Sequence, residues 1–190
     1  MKIVEVKEIE RLYSKGLHRT NPPREVVIHG TAGGASADAL IRWMLSLHNS
    51  KDEWEKKRSA DYKKGVALFH AVIDFDGTAY QLINPDNWVY HSHAGKYDAN
   101  TIGIELMNNK PRNAGKYTQE QYKALAEYIE YLERSKYHEI RRLTTHDFNA
   151  WTYSGIKKET PCPGPNFDWN ELCKYFTIET KKTDYGREII

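Results

Sequence analysis

Apolar and polar positions alternate along the chain in blocks that predict a succession of strands and helices. Residues 1–23 hold no sustained period and read as an irregular or lightly structured lead-in, closed by Asn21-Pro22-Pro23. Glu25-Val26-Val27-Ile28-His29 is a short apolar run between proline and Gly30, which predicts a buried strand. Gly33-Gly34-Ala35-Ser36 then forms a loop with Ser36 as a helix N-cap, and Leu40, Ile41, Met44, Leu45 and Leu47 mark the helix. Residues 50–64 are charged and predict an exposed helix or a loop. Residues 66–74 read as a central strand, Asp76-Gly77 as a hairpin turn and residues 78–83 as the returning strand. Residues 101–107 predict a further strand. Thr118 and Gln121 make a capping box, and Tyr122, Leu125, Ala126, Ile129 and Leu132 continue it at helical spacing. Residues 142–146 predict one more short strand, residues 151–165 a long loop, and Asp168 the start of a short helix through Leu172 and Tyr175. The last ten or so residues read as a tail.

The order is strand, helix, hairpin, strand, helix, strand, helix. It implies an α/β fold with a single mixed central β-sheet flanked by helices. The 190 residues suit one domain, expected over 24–178, with a lead-in over 1–23 and a tail over 179–190.

Composition narrows the function classes. The 28 basic and 26 acidic residues give a net charge of +2, so there is no electrostatic case for nucleic acid. No run approaches the ~18 apolar residues of a membrane span. Residues 1–8 include acids and lack the apolar core of a signal peptide. A monomer that is cytoplasmic as synthesised, with no membrane insertion, is the expectation. Cys162 and Cys173 allow one disulfide but do not demand it. Thirteen Tyr and five Trp supply rings of the kind that line sugar or peptide grooves, and each serves equally well in a core. Trp88 and Trp151 are groove walls or core residues on this reading.

Candidate chemistry gathers at strand ends. His29 and His146 each close a predicted strand, and Cys162 lies in Thr160-Pro161-Cys162-Pro163-Gly164. Two imidazoles and a thiolate leave a fourth tetrahedral position open, the pattern of a catalytic zinc site. Spacing alone is weak evidence: there is no HExxH or CxxC, and a lone histidine is more often a core or surface residue. Glu105 stands inside an apolar strand and shares its face with Gly103 and Met107. An ionised carboxylate on such a face is costly unless paired, and its pKa is raised.

Several stretches in order resemble the type 2 N-acetylmuramoyl-L-alanine amidases, a family that joins phage endolysins, muropeptide-recycling amidases and peptidoglycan recognition proteins. They are Val26-Val27-Ile28-His29-Gly30-Thr31, the run from Phe69 to Thr78, His93-Ala94-Gly95, Asn100-Thr101-Ile102-Gly103-Ile104-Glu105-Leu106, and Cys162-Pro163-Gly164. The match covers roughly residues 24–176. It implies the family's zinc amidase fold and hydrolysis of the amide between the lactyl group of N-acetylmuramic acid and L-alanine. The expected partner is peptidoglycan or a muropeptide.

Residue by residue, the resemblance implies that His29, His146 and Cys162 bind Zn2+, with Glu105 as general base. The third ligand is a cysteine in endolysins and catalytic recognition proteins and an aspartate in recycling enzymes. Many relatives carry tyrosine just before the central-strand histidine, where this chain has Phe69, so reliance falls on Glu105. Many also carry a lysine where this chain has Thr160. Thr160, or Lys157 or Lys158 from the same loop, is left to stabilise the oxyanion. His70 and His93 are expected to line the substrate groove, His70 with a buried structural role as its alternative, and His91 to lie at the surface. A phage-type lysin released to the wall through a holin is the favoured role, a cytoplasmic recycling enzyme the second, and a non-catalytic binding module the third.

Overall fold

A computed structural model describes residues 1–13, 18–65, 68–135, 137, 140–155 and 162–190. These residues form an eight-stranded mixed sheet in the order β1-β4-β3-β5-β2-β6-β8-β7. The strands are β1 (Ile3–Glu5), β2 (Glu25–Gly30), β3 (Ala71–Ile73), β4 (Ala79–Gln81), β5 (Thr101–Leu106), β6 (Arg142–Thr145), β7 (Thr180–Thr183) and β8 (Gly186–Ile189). The helices are α1 (Lys7–Tyr13), α2 (Ala37–Ser46), α3 (Glu53–Lys63), α4 (Gln119–Ser135), α5 (His146–Ser154) and α6 (Trp169–Cys173). None among the described residues is long and apolar enough to cross a membrane.

The centre of the sheet is parallel: β2 lies between β5 and β6, and β5 also pairs with β3. Parallel strands are covered on both faces, which is why β2 is buried at all six positions. On one face Val26, Ile28, Ile102, Ile104 and Leu143 pack with Leu125, Ile129 and Leu132 of α4. On the other, Val72 packs in a second core with Ile9 and Tyr13 of α1 and Ile41 and Met44 of α2. Side chains of a strand alternate between faces. His29 therefore projects on the face opposite Val26 and Ile28, and the polar face of β2 meets that of β5.

The local signals read from sequence act as expected. The Ser36 hydroxyl accepts the N–H of Ala39 at 3.1 Å. Thr118 and Gln121 exchange side chain-to-backbone bonds in both directions, at 3.0 and 3.1 Å. The Asp168 carboxylate caps α6 through the N–H of Asn170 at 2.8 Å.

Three expectations change. The lead-in holds β1, parallel to β4, and α1, whose Ile9 and Tyr13 are fully buried. The tail is a β-hairpin: β8 pairs antiparallel with β6, and β7 closes the edge. That edge hides from a hydrophobic reading because it is built from polar residues, with exposed Lys181 and Lys182 guarding it. The central hairpin is shorter than its apolar run. Only Ala71–Ile73 and Ala79–Gln81 are regular strand, Leu68–His70 precede them as irregular chain, and residues 66 and 67 lie outside the described residues.

Candidate metal centre

β2 and β6 run side by side and deliver two histidines to the same end of the sheet. His29 is the fifth residue of β2, and His146 is the first of α5, directly after β6. Their ring centroids are 4.6 Å apart. Cys162 joins them from further along the chain, beyond α5. One donor atom from each of His29, His146 and Cys162 lies within 4.8 Å of the other two. Tetrahedral zinc at its usual bond lengths sets such donors roughly 3.3–3.6 Å apart, so a small side-chain adjustment closes the set around an ion. The donors also suit zinc in kind, being two imidazoles and a sulfur.

The cysteine is held on both sides. Its backbone N–H donates to Asp147 Oδ2 at 2.7 Å, and the Asp147 N–H donates to its carbonyl at 3.3 Å. The N–H of Gly30, at the end of β2, points at Sγ from 3.4 Å. Exposed His93 stacks on His146 with centroids 5.3 Å apart and planes 16° apart. It has a left-handed backbone, φ 57°, and its carbonyl accepts the Ser154 hydroxyl of α5.

Glu105 enters through strand register. In the parallel β2–β5 pair it stands opposite His29. Its residue is half-buried, yet Oε2 is enclosed and has no hydrogen-bond partner among the described residues. Burial without a compensating partner pushes its carboxyl up to about 8. A carboxyl that holds its proton to near neutrality thus stands across from the first histidine of the three-donor cluster.

The structure buries two further histidines. His70, expected to line the groove or to play a buried structural role, is fully buried. Its Nδ1 accepts the N–H of Gly103 at 3.0 Å, and its Nε2 meets the carbonyl of Asn87 at 3.1 Å. Both contacts fasten backbone, and desolvation, aided by Arg19, drives its pKa well below the usual histidine value. His91, expected at the surface, is buried with its Nδ1 3.0 Å from His29 Nε2. The chain around it is irregular, so no strand alternation orients its side chain. Thr160, Lys157 and Lys158 lie outside the described residues. Trp151 is exposed on α5. Trp88 is half-buried and lines a cleft with His18, Tyr90 and Lys96.

One supporting residue escaped the sequence reading. Glu25 begins β2 fully buried. Its Oε1 accepts from Thr144 Oγ1 at 2.6 Å and Asn149 Nδ2 at 2.8 Å. Its Oε2 pairs with Arg142 at 2.7 Å and accepts from Tyr97 at 3.0 Å. Burial raises its pKa while these partners pull it down. Asn149 is one turn from His146, so Glu25 ties α5 to β2. In sequence a glutamate after an arginine at a strand start looks like any solvated boundary residue.

The chain matches the family model described as N-acetylmuramoyl-L-alanine amidase over residues 19–165. No curated protein matches it by sequence. Similar solved structures include the N-acetylmuramoyl-L-alanine amidase LysC from Clostridium intestinale URNW, at 24% identity and TM-score 0.62, covering 92% of this chain and 96% of that one. A selenomethionine derivative of AmpD follows at 23% identity and TM-score 0.61, covering 93% and 94%. Drosophila PGRP-LB shares 18% identity at TM-score 0.59, covering 93% and 96%. At these identities the likeness of structure speaks for the fold alone, while the family model spans most of the sequence: the chain belongs to the N-acetylmuramoyl-L-alanine amidase family.

Proposed function

We propose that the protein is a zinc-dependent hydrolase of the amide between the lactyl group of N-acetylmuramic acid and L-alanine in peptidoglycan. The observation that carries the proposal is the placement of Glu105 opposite His29 in register, beside the His29, His146 and Cys162 donors. Those three residues hold the metal. A zinc ion so held supplies Lewis acidity, polarising a carbonyl and acidifying water.

The protein's own groups do the rest. Glu105 accepts the proton of the attacking water and returns it to the departing amine of L-alanine, so it ends each cycle as it began. Burial of its carboxyl raises its proton affinity, which strengthens it as a base. His93, exposed and stacked on His146, forms part of the wall against which the substrate lies. Thr160 is proposed as an oxyanion donor from its position before Cys162 in the sequence.

Within this chemistry the protein is proposed to act as a phage-type lysin, since a cysteine fills the third ligand position. A muropeptide-recycling role is the second reading, favoured by Cys-Pro-Gly-Pro-Asn-Phe-Asp-Trp, which resembles the recycling type downstream of the ligand. Digestion of intact peptidoglycan and of soluble anhydro-muropeptides, each with and without a chelator, separates the readings. Chelator-sensitive release of stem peptides from intact wall supports a lysin. Cleavage of soluble fragments alone supports recycling. A zinc-loaded protein that cleaves neither is a binding module, and the hydrolase proposal fails.

A further inference from the structure

His29 has a second ring nitrogen, and the structure gives it a particular neighbour. Nε2 of His29 lies 3.0 Å from Nδ1 of His91. Nε2 of His91 in turn lies 2.8 Å from Thr101 Oγ1, whose hydroxyl donates to the Asp98 carbonyl at 3.0 Å. A hydroxyl has a single proton. With that proton on Asp98 O, the Thr101 oxygen accepts, and His91 carries its own proton on Nε2. The His91 side chain is 1% exposed, where a charge is costly and the neutral ring is preferred. A neutral ring protonated on Nε2 presents a lone pair at Nδ1. His29 therefore donates from Nε2, and its own lone pair is on Nδ1, the form a metal accepts.

We propose that His91 is a positioning residue that fixes the tautomer and ring plane of His29 for metal binding, through the chain His29, His91, Thr101, Asp98 carbonyl. The inference rests on the reading of His29 as a metal ligand. Two features of the fold support a built device. A side chain at Gly103 would place its β-carbon 2.7 Å from Cγ of His91, so the glycine of β5 is what admits the ring. Asp98, buried, accepts the N–H groups of His91 and Ser92 at 3.2 and 3.3 Å, and the Ser92 hydroxyl as well, which anchors the backbone that carries His91. Ligating histidines commonly rely on such a partner for their second nitrogen.

The test is competition between the metal-free protein and a chromophoric chelator for zinc, in wild type, His91→Phe and His91→Asn. Phenylalanine keeps a ring of similar size and removes Nδ1; asparagine restores an acceptor near the same place. His91→Phe is expected to weaken zinc binding roughly 10–100-fold, and His91→Asn to recover most of that loss. A long-range proton–nitrogen correlation spectrum of the wild type, with and without zinc, should show both His29 and His91 protonated on Nε2. Wild-type zinc affinity in His91→Phe, or a His29 protonated on Nδ1, overturns the inference. If His91→Phe fails to fold, the wild-type spectrum decides. A wild type that takes up no zinc removes the metal reading and this inference together; zinc uptake that His91→Phe leaves unchanged removes this inference alone.

Discussion

The carboxylate of Asp147 accepts the backbone N–H of Cys162 at 2.7 Å, and the N–H of Asp147 donates back to the Cys162 carbonyl at 3.3 Å. The residue next to one proposed ligand thereby fixes the backbone of another. The two come from opposite ends of the segment 147–162, so this pairing helps to set where the sulfur stands. Asp147→Ala removes the side-chain acceptor of a half-buried N–H, at a cost of about 1 kcal/mol. Zinc affinity should fall by roughly 10-fold or more. Asp147→Asn keeps an acceptor oxygen and should lose much less. Chelator competition and thermal melts of the metal-free forms check both; equal zinc affinity in wild type and Asp147→Ala would contradict the pairing's role.

Glu105→Gln preserves shape and removes the proton acceptor. Turnover on a muropeptide should fall roughly 10²–10⁴-fold with zinc content unchanged. Full activity in the variant would remove Glu105 from the chemistry.

The same substitution reports on pH. The usual value for a glutamate is 4.5, and burial holds Glu105 at about 8. Between those values the folded protein keeps a proton that the unfolded chain has released. Stability of the metal-free protein is therefore highest below 4.5 as far as this group is concerned. It falls as pH rises towards 8, by on the order of 3–5 kcal/mol at most. Other buried carboxyls, Glu25 and Asp98, shift in the same direction, so the measurement is a difference. Urea unfolding at pH 5 and pH 8 should show a smaller drop in Glu105→Gln than in wild type. An identical drop in both would mean that the Glu105 carboxyl does not titrate in this window.

His29 and Glu105 could be read from sequence because each stands in or at the end of an apolar run, and a polar residue there is visible without a structure. What brings Glu105 to His29 is the parallel register of β2 and β5, across 76 positions of chain, and no local pattern encodes it. Glu25 and His91 were missed for a related reason: each owes its burial to partners distant in sequence, Thr144 and Asn149 for the first and His29 for the second. That His70 stayed open between groove and core has another cause. Its place just before β3 was legible within a residue or two, but whether that stretch opens on a groove or on packed backbone depends on what covers it. The two end segments stayed hidden because edge strands are short or polar. β1 has three residues, and β7 is Thr-Lys-Lys-Thr.

Glu25 offers a test of long-range support. Its carboxylate collects Thr144, Asn149, Arg142 and Tyr97. Glu25→Ala leaves the Arg142 guanidinium and three polar side chains without their buried acceptor. A loss of about 3–5 kcal/mol is expected, together with weaker zinc binding, since Asn149 is on the helix that begins with His146. Glu25→Gln keeps one acceptor and should lie between. A fully stable Glu25→Ala with wild-type zinc affinity would show that α5 is held by other contacts.

Gly103 gives the sharpest steric prediction. Its strand conformation accommodates any residue, so alanine brings no backbone strain there. The added methyl instead meets Cγ of His91 at 2.7 Å. The ring must shift, and overpacking of this kind costs about 1–3 kcal/mol. Gly103→Ala should therefore lower the melting temperature of the metal-free protein and weaken its hold on zinc. Adding His91→Ala to Gly103→Ala removes the clash. The double variant should regain stability relative to Gly103→Ala, a non-additivity expected only of side chains in contact. Its zinc affinity should stay low, because the partner of His29 is gone. Recovery of both stability and affinity in the double variant would reduce His91 to a space-filling ring; recovery of stability alone separates the packing of that ring from its service to His29.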